Sequence, residues 1–198
     1  MNILLKEKIE QTIKARGRCI LGIDGPCGSG KTTLAASLQK EYDAIVIHMD
    51  DFFLRPEQRT KERYERPGAN VDYERFEEEV LRPLEAGLSF SYQKFDCSVM
   101  KLGEFVQVPL SSLYIIEGSY AMRPELSPYY DIRIYVHASL EERLRRIERR
   151  SPAKIEDFRN KWIPFENRYF SFYDIQNHCD FLAESTHDNA FIISPGHI

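Results

Sequence analysis

Residues Gly25-Pro26-Cys27-Gly28-Ser29-Gly30-Lys31-Thr32 match GxxxxGK[ST] at every fixed position, and they stand between a short apolar run and a stretch of helix formers. No other feature constrains the fold as much, because such a loop works only where a buried strand hands over to a helix. At a typical glycine usage of about 7%, the bare pattern arises by chance in about one unrelated chain in a hundred. The flanking context makes chance rarer still. Cys19 to Ile23 is the apolar run, Thr32 to Tyr42 carries Leu34, Ala35, Ala36, Leu38, Gln39 and Lys40, and Ala44 to Met49 is a second apolar run, which together predict a βαβ unit. A glycine-rich loop at a helix amino end aims several N–H groups and the positive dipole end at one point, which suits phosphate. Lys31 is expected on the β and γ phosphates of a nucleotide, Thr32 on magnesium carried by the triphosphate, and Thr33 on further phosphate oxygens.

The rest of the chain repeats the alternation. Leu5, Ile9 and Ile13 predict an amphipathic helix within 1–17, ended by Gly17. Strand-type runs follow at Leu113 to Ile116 and Ile132 to Val136, with weaker ones at Phe181 to Ala183 and Phe191 to Ile193. Phe76, Val80 and Leu84 mark one helical face between them, and Leu140, Leu144 and Ile147 another. The expectation is an α/β three-layer sandwich around a parallel sheet. Period-2 pairs (Phe90, Tyr92; Phe105, Gln107) within 88–110 predict an inserted β-hairpin lobe around a loop containing Gly103. No repeat or linker breaks the 198 residues, so a single domain over 1–198 is expected.

Composition excludes several classes. A net charge of -4 gives no global pull toward nucleic acid or anionic membrane, so small-molecule partners are favoured. No apolar run approaches the roughly 20 residues of a membrane span, and Lys6, Glu7 and Lys8 interrupt any signal peptide, which predicts a cytoplasmic protein. Cys19, Cys27, Cys97 and Cys179 have no CxxC spacing, so neither a zinc site nor a disulfide framework is expected. Cys27 lies at a helix amino end, which lowers thiol pKa and raises a redox reading against that of a small filler residue.

Charged residues gather at predicted strand ends. His48-Met49-Asp50-Asp51-Phe52-Phe53 closes the second strand, where ligand sites of open α/β sheets lie. Asp50 there would take a proton from an attacking hydroxyl or hold a magnesium-bound water; the alternative is a turn cap. Glu117-Gly118 closes the third strand and puts an acid where magnesium is usually held. Arg143, Arg145 and Arg146 read as a solvated helix face paired with Glu141, Glu142 or Glu148, while Arg149 and Arg150 at the helix end read as a lid over transferring phosphate.

Taken together, GIDGPCGSGKTT (22–33), HMDDFFLRP (48–56), RPGANVDYERF (66–76), QKFDCS (93–98), YIIEG (114–118), DIRIYVHASLEERLRRIERR (131–150) and the stretch around Trp162 resemble the uridine kinase and nicotinamide riboside kinase branch of P-loop kinases, a group related to phosphoribulokinase and bacterial pantothenate kinase. The resemblance implies the P-loop NTPase fold, ATP and Mg2+ as cofactors, and phosphoryl transfer to a hydroxymethyl group, typically the ribose 5'-hydroxyl of a uridine- or cytidine-like nucleoside. It further implies Asp50 as base, Glu117 with Thr32 and Asp50 near the metal, Asp72 and Asp96 on ribose hydroxyls, Arg66 on the acceptor, and a 149–162 lid bearing Arg149 and Arg150. Phe95 replaces the Tyr of the family's Tyr-Asp pair. Arg66-Pro67 stands where uridine kinases carry His-Pro, and Ala121, Met122 and Arg123 where they carry an aromatic residue, so the pyrimidine contacts are not matched. Tyr92, Phe105 and Tyr120 are either stacking residues or core. Nicotinamide riboside, pantothenate, a sugar phosphate or another metabolite stay open as acceptors, as do a regulatory ATPase and a homo-oligomer.

Overall fold

The strand before the glycine-rich loop, β1 (Cys19–Asp24), is buried at every residue, as a central strand covered on both faces must be. The computed structural model describes residues 2–188 and 190–196. In it β2 (Ile45–His48), β5 (Leu113–Glu117), β6 (Ile132–His137), β7 (Phe181–Ser185) and β8 (Phe191–Pro195) join β1 in a six-stranded sheet of order β2-β5-β1-β6-β7-β8. All neighbours pair in parallel except β8, which runs antiparallel along β7 at the edge. The two weak C-terminal candidates are therefore strands, and the sheet is mostly parallel.

Alternation along β1 divides the core. Cys19, Leu21 and Ile23 face a cluster with Leu5, Ile9, Leu34 and Leu38, while Ile20 faces Phe52, Phe76, Tyr114 and Ile116. Helices α1 (Ile3–Arg16) and α2 (Lys31–Tyr42) cover the first side. The Asn2 side chain caps α1 by accepting from the Leu4 and Leu5 amides at 2.9 and 3.3 Å, and Gly17 at φ 75° closes it. Burying Leu5 and Ile9 contributes about 1.5–3 kcal/mol each.

On the second side, helical turns Tyr73–Phe76, Glu77–Leu81 and Arg82–Glu85 follow one another, the middle one π-helical, and bury Phe76, Val80 and Leu84 as their spacing predicts. The hairpin lobe is β3 (Phe90–Asp96) against β4 (Lys101–Val108), with a register shift between Gln93 and Phe95. Gly103 lies inside β4 and not in the loop; the turn is made at 97–100, where Met100 takes the left-handed position at φ 58°. Helix Leu140–Arg150 departs most from expectation. Leu140 is 52% exposed, and the buried residues are Glu142, Arg143 and Ile147. Among the described residues no helix is long and apolar enough to cross a membrane.

Asp24 joins these pieces at the end of β1. Fully buried, its carboxylate accepts from the amides of Gly25 (2.6 Å), Tyr120 (3.1 Å) and Met122 (2.9 Å) and from the Tyr169 hydroxyl (2.8 Å). Burial pushes its pKa up to about 6, against the pull of those amides and of Lys31. Gly25 beside it sits at φ 147°, where a Cβ would fall 2.0 Å from the Val136 carbonyl oxygen. Because all four neighbours donate, an amide would set N–H against N–H. Asp24→Asn is expected to destabilise the chain by about 2–4 kcal/mol in urea unfolding; a loss below about 1 kcal/mol would contradict the assignment.

Candidate active site

β1, β2 and β5 run parallel, so their carboxyl ends open on one edge, where the chain from 25 to 30 wraps the start of α2. Gly28 and Gly30 take φ of 76° and 106°, and a Cβ on Gly28 would fall 2.8 Å from the Arg143 carbonyl oxygen. The loop's outward carbonyls are held by arginines. Arg143 Nε donates to Cys27 O at 2.9 Å. Arg146 donates to Gly28 O and Ser29 O at 3.2 Å each and to Ser185 Oγ at 3.0 Å. The expectation of a solvated face is thus overturned for these two, because loop carbonyls packed against a helix need donors, although Arg146 keeps the expected pairing with Glu142, at 2.6 Å. Arg145 does pair with Glu142, at 2.7 Å.

Lys31 is nearly buried, and its ammonium donates to Gly25 O (2.7 Å), Pro26 O (3.1 Å) and Ser119 Oγ (3.3 Å). It folds back over the loop and meets no carboxylate among the described residues. The Cys27 amide donates to both Glu166 oxygens, at 3.0 and 2.9 Å, and Ser119 donates to the same carboxylate at 2.7 Å. Burial, with the nearby Glu166 charge, pushes the Cys27 thiol up to about 12. That is opposite to the lowered thiol a helix amino end suggested.

The two strand-end acids divide their tasks. Glu117 Oε1 lies 3.2 Å from Thr32 Oγ1 and 2.6 Å from His48 Nδ1. Burial alone would raise its carboxyl, but the His48 hydrogen bond and the Lys31 charge outweigh burial and hold it below the ordinary value. Conversely, the bond to Glu117 raises the His48 imidazole. Asp50 sits in the 3-10 turn Met49–Phe52 beyond β2. Surrounding protein pushes its carboxyl up, with Lys31 opposing and Glu117 adding; its side chain stays open to solvent, which screens that push. Asp51 turns the other way and accepts from the Tyr92 hydroxyl at 2.8 Å.

A cleft of about 760 Å³ collects Lys31, Thr32, Thr33, Asp50, Glu117, Arg149 and Arg150 on its walls, with Cys27, Gly28 and Gly30. Gly25, Pro26 and Ser29 form the loop's inner side and do not line it. Three expected acceptor contacts are also absent from its walls. Asp72 is 2% exposed and caps the following helix, accepting from the Arg75 amide at 3.4 Å. Asp96 holds the hairpin turn by accepting from Ser98 N (2.7 Å) and Oγ (2.6 Å). Arg66 is exposed where helix Lys61–Glu65 ends. Short polar side chains at turns and helix starts have local donors to satisfy, and here those win. Tyr92 is buried and Phe105 is 64% exposed, both off the cleft, whereas Tyr120 lines it at an unusual φ of 76°. Sequence reasoning missed Ser119, Glu166, Asn70, Arg59 and Tyr64 on the walls. None sits in a spaced pattern that could have marked it. His48 does adjoin Asp50.

No family model matches the chain. It is 29% identical over 141 residues to a uridine kinase of Brevibacillus brevis, covering 64% of this chain and 63% of that protein. To uridine-cytidine kinase D of Dictyostelium discoideum it is 28% identical over 116 residues, 59% of this chain and 23% of that one. The chain therefore spans less than two thirds of these curated relatives. A solved structure described as a "Possible Uridine Kinase", from Bacillus stearothermophilus, superposes with a TM-score of 0.64 at 24% identity, covering 90% of this chain and 98% of that one. The fold is a mostly parallel α/β sheet flanked by helices, as in that structure. In sequence the chain is similar to uridine and uridine-cytidine kinases, at 28–29% identity over 59–64% of its length.

The His48–Glu117 pair gives a pH test. Its His48 part is present in full below pH 6.5, the ordinary imidazole value, and is lost as pH rises through the raised value of the folded chain. The Glu117 part holds above its ordinary 4.5 and is lost as pH falls through the lowered folded value. With His48 42% exposed, solvent keeps the pair under about 1 kcal/mol. The melting temperature of the wild type should exceed that of His48→Gln near pH 6 and converge on it as pH rises; a constant gap would contradict the pair.

Proposed function

We propose that this chain transfers the γ-phosphoryl group of ATP to an alcohol hydroxyl of a small molecule, with the ribose 5'-hydroxyl of a nucleoside as the acceptor its relatives favour. The observation that carries this reading is a single cleft lined by Lys31, Thr32, Asp50 and Glu117, with Thr32 Oγ1 and Glu117 Oε1 3.2 Å apart. The loop amides and the start of α2 cradle the β and γ phosphates, and Lys31 exchanges its hold on Gly25 O and Pro26 O for phosphate oxygens. The acceptor oxygen attacks phosphorus, the bond to the β-phosphate oxygen breaks, and ADP leaves. Asp50 takes the hydroxyl proton. Its carboxyl is shifted upward from the ordinary value, chiefly by the surrounding protein, which favours proton uptake. Arg149 and Arg150 lie over the same cleft and would meet the charge of the transferring group.

Thr32 Oγ1 and a Glu117 oxygen 3.2 Å apart, with Asp50 on the same cleft, form the hard oxygen set that magnesium prefers. Among the described residues no group of three or more His, Cys, Asp and Glu side chains could hold a metal alone, which fits an ion arriving with the triphosphate. When bound it would offset phosphate charge. Thr32 and Glu117 would hold it, and His48 would keep Glu117 ionised and oriented.

Asp50→Asn should cut kcat by about 100- to 10,000-fold while ATP affinity, measured by calorimetry, changes less than about threefold. Undiminished turnover would remove Asp50 as base.

A further inference from the structure

The cleft holds more positive charge than a nucleotide needs. Magnesium-bound ATP presents its phosphates to Lys31, and Arg149 and Arg150 stand over them. Beyond these, Arg59, Lys154 and Lys161 also line the cleft, and among the described residues none of the three forms an ion pair. The three acids on the walls, Asp50, Glu117 and Glu166, are outnumbered by these cations, and Glu117 is bonded to His48 and Thr32 while Glu166 is bonded to Cys27 N and Ser119 and paired with Arg143.

Arg59 is built differently from its neighbours. Arg55 leans on Asp72 at 3.7 Å and Arg63 is clamped to Glu74 at 2.5 Å. Arg59 instead donates Nε to Leu54 O at 2.9 Å, and its guanidinium lies 5.7 Å over the Phe95 ring. The Nε bond to a backbone carbonyl anchors the group beside an aromatic ring, while its two terminal nitrogens have no protein acceptor among the described residues. A guanidinium held this way is a ready fork for a planar carboxylate or for two phosphate oxygens. Arg59, Lys154 and Asp50 line the same cleft, together with Cys97 of the hairpin turn, so the fork, a second cation and the proposed base open on one space.

We infer that the acceptor carries an oxyanionic group of its own, a phosphate or a carboxylate, which Arg59 receives on its two terminal nitrogens with Lys154 beside it, while the acceptor's hydroxyl lies at Asp50. This rests on the kinase reading above and narrows its acceptor away from a neutral nucleoside. An anionic acceptor would otherwise be repelled by Asp50 and by the γ-phosphate, and the surplus cations offset that repulsion.

The test uses the full chain and matched pairs that differ in the oxyanion and keep the acceptor hydroxyl free: uridine and uridine 3'-monophosphate, ribose and ribose 1-phosphate, panthenol and pantothenate. Binding to protein loaded with a non-hydrolysable ATP analogue is measured by calorimetry, and turnover by coupled ADP release. At least one anionic member should bind and react, its kcat/KM exceeding that of its neutral partner by about 10- to 100-fold. Which pair responds separates phosphate from carboxylate. Arg59→Ala should raise the KM of that acceptor about tenfold or more and leave the KM of ATP within about twofold, with Arg59→Lys recovering part of the loss. Preference for the neutral members, binding of neither member, or an unchanged acceptor KM in Arg59→Ala would overturn the inference and leave the kinase reading standing. Failure of the chain to bind the ATP analogue would overturn both.

Discussion

The carboxylate of Asp24 is the interaction on which the rest of the arrangement depends. It is wholly buried and meets four donors drawn from three parts of the chain: the loop at Gly25, the segment after β5 at Tyr120 and Met122, and the C-terminal helix at Tyr169. Removing a carboxylate from water is costly unless hydrogen bonds replace its hydration. Here that requirement leaves little freedom in where the three parts meet. Since Ser119 and Glu166 lie on two of them, fixing Asp24 also fixes the polar groups that contact Cys27 and Lys31.

A second constraint acts on the loop. Its carbonyls at Cys27, Gly28 and Ser29 have to be satisfied from behind, and Arg143 and Arg146 do this from the helix Leu140–Arg150. The same helix ends in Arg149 and Arg150, which face the cleft. One element therefore supports the loop with its middle and addresses the ligand with its end. Glu117 follows a similar logic, for burial would neutralise it without His48 and Lys31 nearby.

Much of this was legible in the sequence because strand and helix signals are local and periodic. GPCGSGKT between Cys19–Ile23 and Thr32–Tyr42, and the acids at Asp50 and Glu117, fall where reading the chain put them. The arginine reading failed for a non-local reason. Arg143 and Arg146 looked solvated because helix Leu140–Arg150 is rich in Glu, yet their partners are carbonyls more than a hundred residues away. Asp72 and Asp96 matched a family pattern, but each satisfies a helix start or a turn within three residues of itself. Arg59 and Glu166 carry no pattern at all; only the folded chain shows that one is anchored on Leu54 O with no ion pair among the described residues and that the other is bonded to the loop.

The central claim is that phosphoryl goes from ATP to an alcohol and not to water. The most direct measurement follows ATP labelled with oxygen-18 on its γ-phosphoryl group, incubated with magnesium, the full chain and a mixture of small alcohols, by mass spectrometry of all products. The account predicts labelled phosphate ester of one alcohol, formed in step with ADP. Label found only in inorganic phosphate, with every alcohol unchanged while ADP accumulates, would contradict it.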